Sequence, residues 1–218
     1  MKKFTAFFLS LVALLPVSCQ KSTPLTVTPT SMTLYAEGTE QITATPAEGV
    51  TYPSSDEFYA TVSETGLVTA NKVGQTDIRV SSDNGMATIP VLVLPKYDLY
   101  PNLESLINAP VSRMEEVLGR DYTRDTSSSG ETMYTYAYYN TYTTGILCSF
   151  ENGVCTSIGV VVQTSHLTKF VNYLAERYSV AGMLNDYYFF LDHDRKVVVT
   201  MTLYNSSYMM AVYMPHDG

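Results

Sequence analysis

Between Leu25 and Leu94 the apolar residues recur at every second position in short runs, broken by Gly38, Gly49, Gly66, Gly74 and Asn84–Gly85. A period of two with turn residues between the runs predicts half-buried strands. The runs are "LTVTP", "MTLYA", "EQITATP", "VTY", "YATVS", "LVTA", "TDIRVSS" and "ATIPVLVL". Their even spacing points to a two-sheet sandwich of immunoglobulin type. Ile42, Ile78 and Ile89, with Val80, Val91 and Val93 in step, are expected to fill the space between the sheets.

After "LPKYDLYPN", where Pro95 and Pro101 predict a stiff linker over residues 95–101, the pattern changes. Ser112 and Glu115 have capping-box spacing at the head of "SRMEEVLG", where Met114, Val117 and Leu118 share one helix face. Ser165 is placed to cap a second helix with Leu167, Phe170, Val171, Leu174 and Tyr178 at helical spacing. Three strand-like runs follow each helix: "TMYTYAYY", "TGILCSF" and "VCTSIGVVVQ", then "YYFFLD", "KVVVTMTLY" and "SYMMAVYM". Residues 102–218 therefore predict an α+β domain, a tandem αβββ with an antiparallel sheet and both helices on one face. The arrangement loosely resembles small helix-plus-meander domains of envelope lipoproteins and of proteinaceous enzyme inhibitors, a resemblance that assigns no residue.

The order of the first set of runs, from "VTPTSMTLYAEGTEQITATP" through "SSDEFYATVSETGLVTANKVGQTDIRVSS" to "ATIPVLV", resembles the bacterial Ig-like group 2 family, BIG2. Tyr52 stands where that family often has Trp, and Pro53 where Ser is usual. The resemblance implies an extracytoplasmic spacer or binding module at residues 25–94, with no catalytic residues. The opening residues carry their own pattern: Lys2 and Lys3 precede the apolar run Phe4–Leu15, which fits a secretory signal and is too short to span a bilayer. "LLPVSC" resembles the cleavage box of bacterial lipoprotein precursors, with Val17, Ser18 and Cys19 matching in kind and Pro16 standing where Leu is usual. It implies a signal peptide over residues 1–18, lipidation at Cys19, and a tether over residues 19–24 that joins the chain to a membrane. Gln20 lacks the Asp that marks inner-membrane retention, so the outer membrane is expected, with the chain facing the periplasm or the outside.

Charge narrows the partners. The chain carries a net charge of −8; loss of residues 1–18 removes Lys2 and Lys3 and no acid, leaving 11 basic against 21 acidic side chains. A surface so short of cations is unsuited to nucleic acid. None of the three histidines falls in a catalytic or metal-binding motif; Asp192–His193–Asp194 reads as a turn, because adjacent side chains in a tight turn rarely converge on one ion. No cofactor, metal or enzymatic activity is expected.

Cys148 and Cys155 flank "SFENGV". A hairpin loop of Glu151–Asn152 would set them opposite one another, Asn152–Gly153 would set them diagonal on one face, and a three-residue loop would set them on opposite faces. A disulfide and two buried free thiols both remain open. The chain has 18 tyrosines and no tryptophan. Tyr134, Tyr136 and Tyr138 alternate onto one strand face, with Tyr139 on the other, and "DYYFF" adds Tyr187 and Tyr188. The face is either core under a helix or a platform for an envelope protein or glycan, and its exposure decides between them. The expected function is a non-enzymatic binding lipoprotein of the envelope; the alternative is a proteinaceous inhibitor of a secreted or periplasmic enzyme.

Overall fold

The computed structural model describes residues 23–137 and 139–216. Two separate cores divide them. The first is built from Met32, Ile42, Val68, Ile78, Val80, Ile89, Val91 and Val93, the six expected positions among them. It lies between strands β1 (Thr26–Thr28), β2 (Met32–Tyr35), β3 (Thr39–Gln41), β4 (Thr43–Thr45), β5 (Ala60–Val62), β6 (Leu67–Ala70), β7 (Gly74–Ser82) and β8 (Gly85–Leu94). One sheet runs β2-β8-β7, with β2 parallel to β8, and another runs β3-β6-β5; β1 and β4 form a separate pair. Along β7 and β8 buried and outward residues alternate, as a strand with one face on a core requires. Tyr52 packs, half-buried, against this core.

The second module holds α1 (Val111–Leu118), β9 (Thr123–Thr126), β10 (Thr132–Ala137), β11 (Thr143–Glu151) and β12 (Val154–Gln163). It continues with α2 (Leu167–Ala175), β13 (Ser179–Leu184), β14 (Tyr187–Leu191), β15 (Val197–Leu203) and β16 (Tyr208–Pro215). Each helix is thus followed by four strands, not three. The two that the hydrophobic pattern missed are the outermost: β9, "TRDT", is polar throughout, and β13, "SVAGML", is interrupted by a bulge at Ala181 and Gly182. The eight strands form one antiparallel sheet in the order β13-β14-β15-β16-β12-β11-β10-β9, so the two repeats meet at β16 and β12 like a palindrome.

Neither serine caps its helix. Pro110 precedes α1 and Ser112 lies inside it, while a 3₁₀ turn over Thr164–His166 leads into α2 and Ser165 Oγ donates to Gln163 Oε1 at 3.4 Å. Fixed φ at Pro110 and the 3₁₀ entry start these helices without a side-chain cap. Phe170, Tyr173 and Leu174 form the buried stripe of α2.

The join, expected as a stiff linker, is itself part of the second core. Leu99 and Tyr100 are buried in the second core, where the Tyr100 and Tyr213 hydroxyls are 2.9 Å apart and Tyr173 donates to the Tyr100 carbonyl at 3.0 Å. Burying these apolar side chains anchors the join to the second core. The end of α2 then meets the first module. The Glu176 carbonyl accepts the Val73 N–H at 2.7 Å, and the Ala175 carbonyl accepts the Lys72 ammonium. These are carbonyls that a helix C-terminus leaves without partners. The buried Glu176 carboxylate accepts the Lys96 and Tyr97 N–H groups at 2.9 and 3.1 Å and pairs with Arg177 at 2.6 Å.

Candidate functional site

The tyrosine row on β10 belongs to the core. Tyr134 and Tyr136 are 6% and 3% exposed, which removes them as a binding platform; Tyr138 lies outside the described residues. Tyr136 donates its hydroxyl to the Gly119 carbonyl at the end of α1 at 2.8 Å. Tyr122, in the connection after α1, packs its ring edge-on to both, with centroids 5.0 Å from Tyr134 and 5.6 Å from Tyr136, and is held by a 2.8 Å bond to Glu115. Burial pushes the Tyr136 phenol well above its ordinary range, with Cys148 adding to the shift. A ring that dry and that closely packed has no face left for a ligand.

Cys148 and Cys155 are likewise buried, and both are free thiols. The loop is Asn152–Gly153, both at positive φ, the two-residue turn that a right-twisted hairpin favours. Cys155 pairs with Phe150 and Cys148 with Ile158 across a bulge, so the two sulfurs are diagonal neighbours on the helix side of the sheet. Burial pushes the Cys155 thiol up to about 12 and Cys148 higher still, which leaves both inert as nucleophiles. Cys19 and the signal segment lie outside the described residues. Among the described residues no three His, Cys, Asp or Glu side chains gather as metal ligands, and no helix is long and apolar enough to cross a membrane.

The exposed apolar surface lies at the other end of the sheet. A groove of about 670 Å³ opens between α2 and the helix-side face of β13–β15, lined by Leu167, Val171, Met183, Tyr188, Met201 and Leu203, with Asn185 and Asp186 at its rim. Register explains the continuity of its floor. Met183 pairs with Tyr188, Tyr188 with Met201, and Leu203 with Met209, so these side chains project to one face. The helix α2 packs toward β12 and leaves this end uncovered. Met183 is 64% exposed, Leu203 65% and Tyr188 44%. Three methionines line the groove, and their unbranched, polarizable side chains adapt to varied apolar shapes.

Beside the groove, β13 is the edge of the sheet, and every one of its six residues is exposed. Its outer rim offers backbone N–H and C=O groups to an incoming strand. The opposite edge, β9, carries Arg124 and Asp125, whereas β13 carries no charge and exposes Val180, Met183 and Leu184. Sequence reading singled out Tyr187 and Tyr188 here but passed over Val180, Met183 and Leu203. The available signal was the run "VAGML", apolar on both faces and without the charges that usually guard an edge.

No curated protein matches the chain. Among solved structures, "Structure of the S-layer protein SbsC, domains 5-6" covers 89% of this chain and 84% of that chain, at 11% sequence identity and a TM-score of 0.29, too low for the two folds to be equated. The sandwich is matched by a family model. Residues 21–92 fit the bacterial Ig-like domain (group 2), and the first module of this chain is a domain of that family.

Proposed function

We propose that the chain is a non-enzymatic lipoprotein of the bacterial cell envelope, tethered at Cys19, whose second module binds a protein partner in the groove beside β13. The Ig-like match at residues 21–92 supports an envelope setting. The observation that carries the binding reading is the juxtaposition of an uncharged edge strand with an apolar groove on the same hairpin. An extended segment adding to β13 gains main-chain hydrogen bonds along its length and drops alternate side chains into the groove. The partner's segment is apolar at every second position. It is flanked by Lys or Arg, because the mature chain holds 21 acids against 11 bases and Asp186 stands at the groove's rim.

Selection from a displayed random-peptide library tests this. Residues 20–218 are expected to enrich alternating apolar peptides with basic flanks, and the Met183→Asp variant is expected to lose them. Peptides without alternation, or equal enrichment by both proteins, would contradict the reading. The tether is tested separately: labelled palmitate is expected in the wild-type product and not in Cys19→Ala.

A further inference from the structure

One side chain of the second module reaches across to the first at a corner away from the groove. His193 sits in the turn between β14 and β15, its ring stacked on Tyr59 (centroids 5.3 Å, planes 19° apart) and edge-on to Phe58 at 4.8 Å. Its Nε2 is 2.8 Å from Asp56 Oδ2 in the Ig-like module, and its Nδ1 is 2.9 Å from Asp194 Oδ1 in its own turn. A neutral imidazole has one N–H and one lone pair, so it satisfies one carboxylate and turns a lone pair on the other. Only the imidazolium donates to both.

We propose that His193 is a pH-sensitive clasp between the modules: protonated, it bridges Asp56 to Asp194; deprotonated, it lets Asp56 go.

The surroundings favour the closed form. Asp192 and Asp194 flank the ring in sequence, Lys196 is bound to Asp194 at 3.2 Å, and Asp98, Glu104 and Arg177 line the cleft of about 400 Å³ that the ring closes. Arg177 is already engaged by Glu176 and by the carbonyls of Tyr97 and Tyr173, so the carboxylates set the local sign. Asp56 is held in place, its Oδ1 accepting the Phe58 N–H at 3.0 Å. The hydrogen bond to Asp194, with Asp56 adding to it against some desolvation, raises the His193 pKa above its ordinary 6.5. For a raised histidine the clasp is complete below pH 6.5 and fails as pH climbs through the higher folded value. The α2 contact to Val73 and the Lys96–Glu37 pair hold no histidine, so the opening is confined to the Phe58–Tyr59 corner.

NMR titration of the full chain tests the clasp. The His193 midpoint is expected above the ordinary value and to fall by about half a unit or more in Asp56→Asn. Asparagine keeps the oxygen that accepts the Phe58 N–H, so the turn stays folded. The Phe58 and Tyr59 ring signals are expected to move with the His193 midpoint in the wild type and to stop moving in His193→Gln. A midpoint indifferent to Asp56→Asn, or ring signals that still titrate in His193→Gln, would overturn the proposal.

Discussion

In the first half of the eight-stranded sheet, the inward aromatics of the second strand, Tyr134 and Tyr136, lie beneath Tyr122 and the end of α1. In the second half, the counterpart strand presents Tyr188 and Phe190, and the first of these is open to solvent. The difference traces to the connections that follow the two helices. After α1, residues 119–122 place the Tyr122 ring over the strand face. After α2, residues 176–178 are given to other tasks. Glu176 holds the join, Arg177 stacks on Tyr173 with its guanidinium carbon 3.8 Å from the ring centroid, and Tyr178 turns inward toward Tyr213 at 6.0 Å. The second half thus gives up its plug in order to grip the first module, and the uncovered face becomes the groove. The edges diverge in the same sense: β9 is guarded by charge, as an edge that must stay unpaired usually is, and β13 is not.

The sharpest way to break this comparison is to remove a covered ring and an uncovered one. Tyr136→Ala is expected to destabilise the chain by about 3–5 kcal/mol, the usual range for deleting a large buried aromatic, whereas Tyr188→Ala is expected to stay under about 1 kcal/mol in the same denaturant titration. Equal losses would mean that the groove is core after all. Next in size, Tyr122→Ala strips the plug from the first half and is expected to cost about 1–3 kcal/mol while raising binding of an apolar dye there. A partner is needed for the third. Met183→Asp or Leu203→Asp is expected to weaken an enriched peptide at least tenfold, about 1.4 kcal/mol, with stability changed by less than about 1 kcal/mol. The smallest effect is expected from Val180→Lys, which gives β13 the kind of charge that β9 already has. A loss of about threefold in peptide affinity, measured by titration calorimetry, fits a rim position.

Much of this architecture is legible in the residues themselves. The isoleucines at 42, 78 and 89 alternate with polar neighbours, and the core between the sheets gathers all three. The α2 stripe of Phe170 and Leu174 is equally plain, whereas the Asn152–Gly153 turn is one of three loops that the residues leave open. What periodicity could not reveal is coverage. Tyr134 and Tyr188 both sit in aromatic second strands of their repeats, and which one is buried depends on Tyr122 and Tyr178, residues in connections whose direction is set by tertiary contacts. The join shows the same limit: its prolines speak of local stiffness, while the burial of Leu99 and Tyr100 is decided by contacts with residues as far along the chain as Tyr173 and Tyr213.

Hydrogen exchange on the full chain, with and without an enriched peptide at saturation, tests strand addition to β13 most directly. The β13 amides that point away from β14 are expected to slow on binding, with the amides of β9 unchanged. Protection confined to β9 or to the sheet's other face, with β13 exchanging as before, would contradict the assignment of the groove as the site.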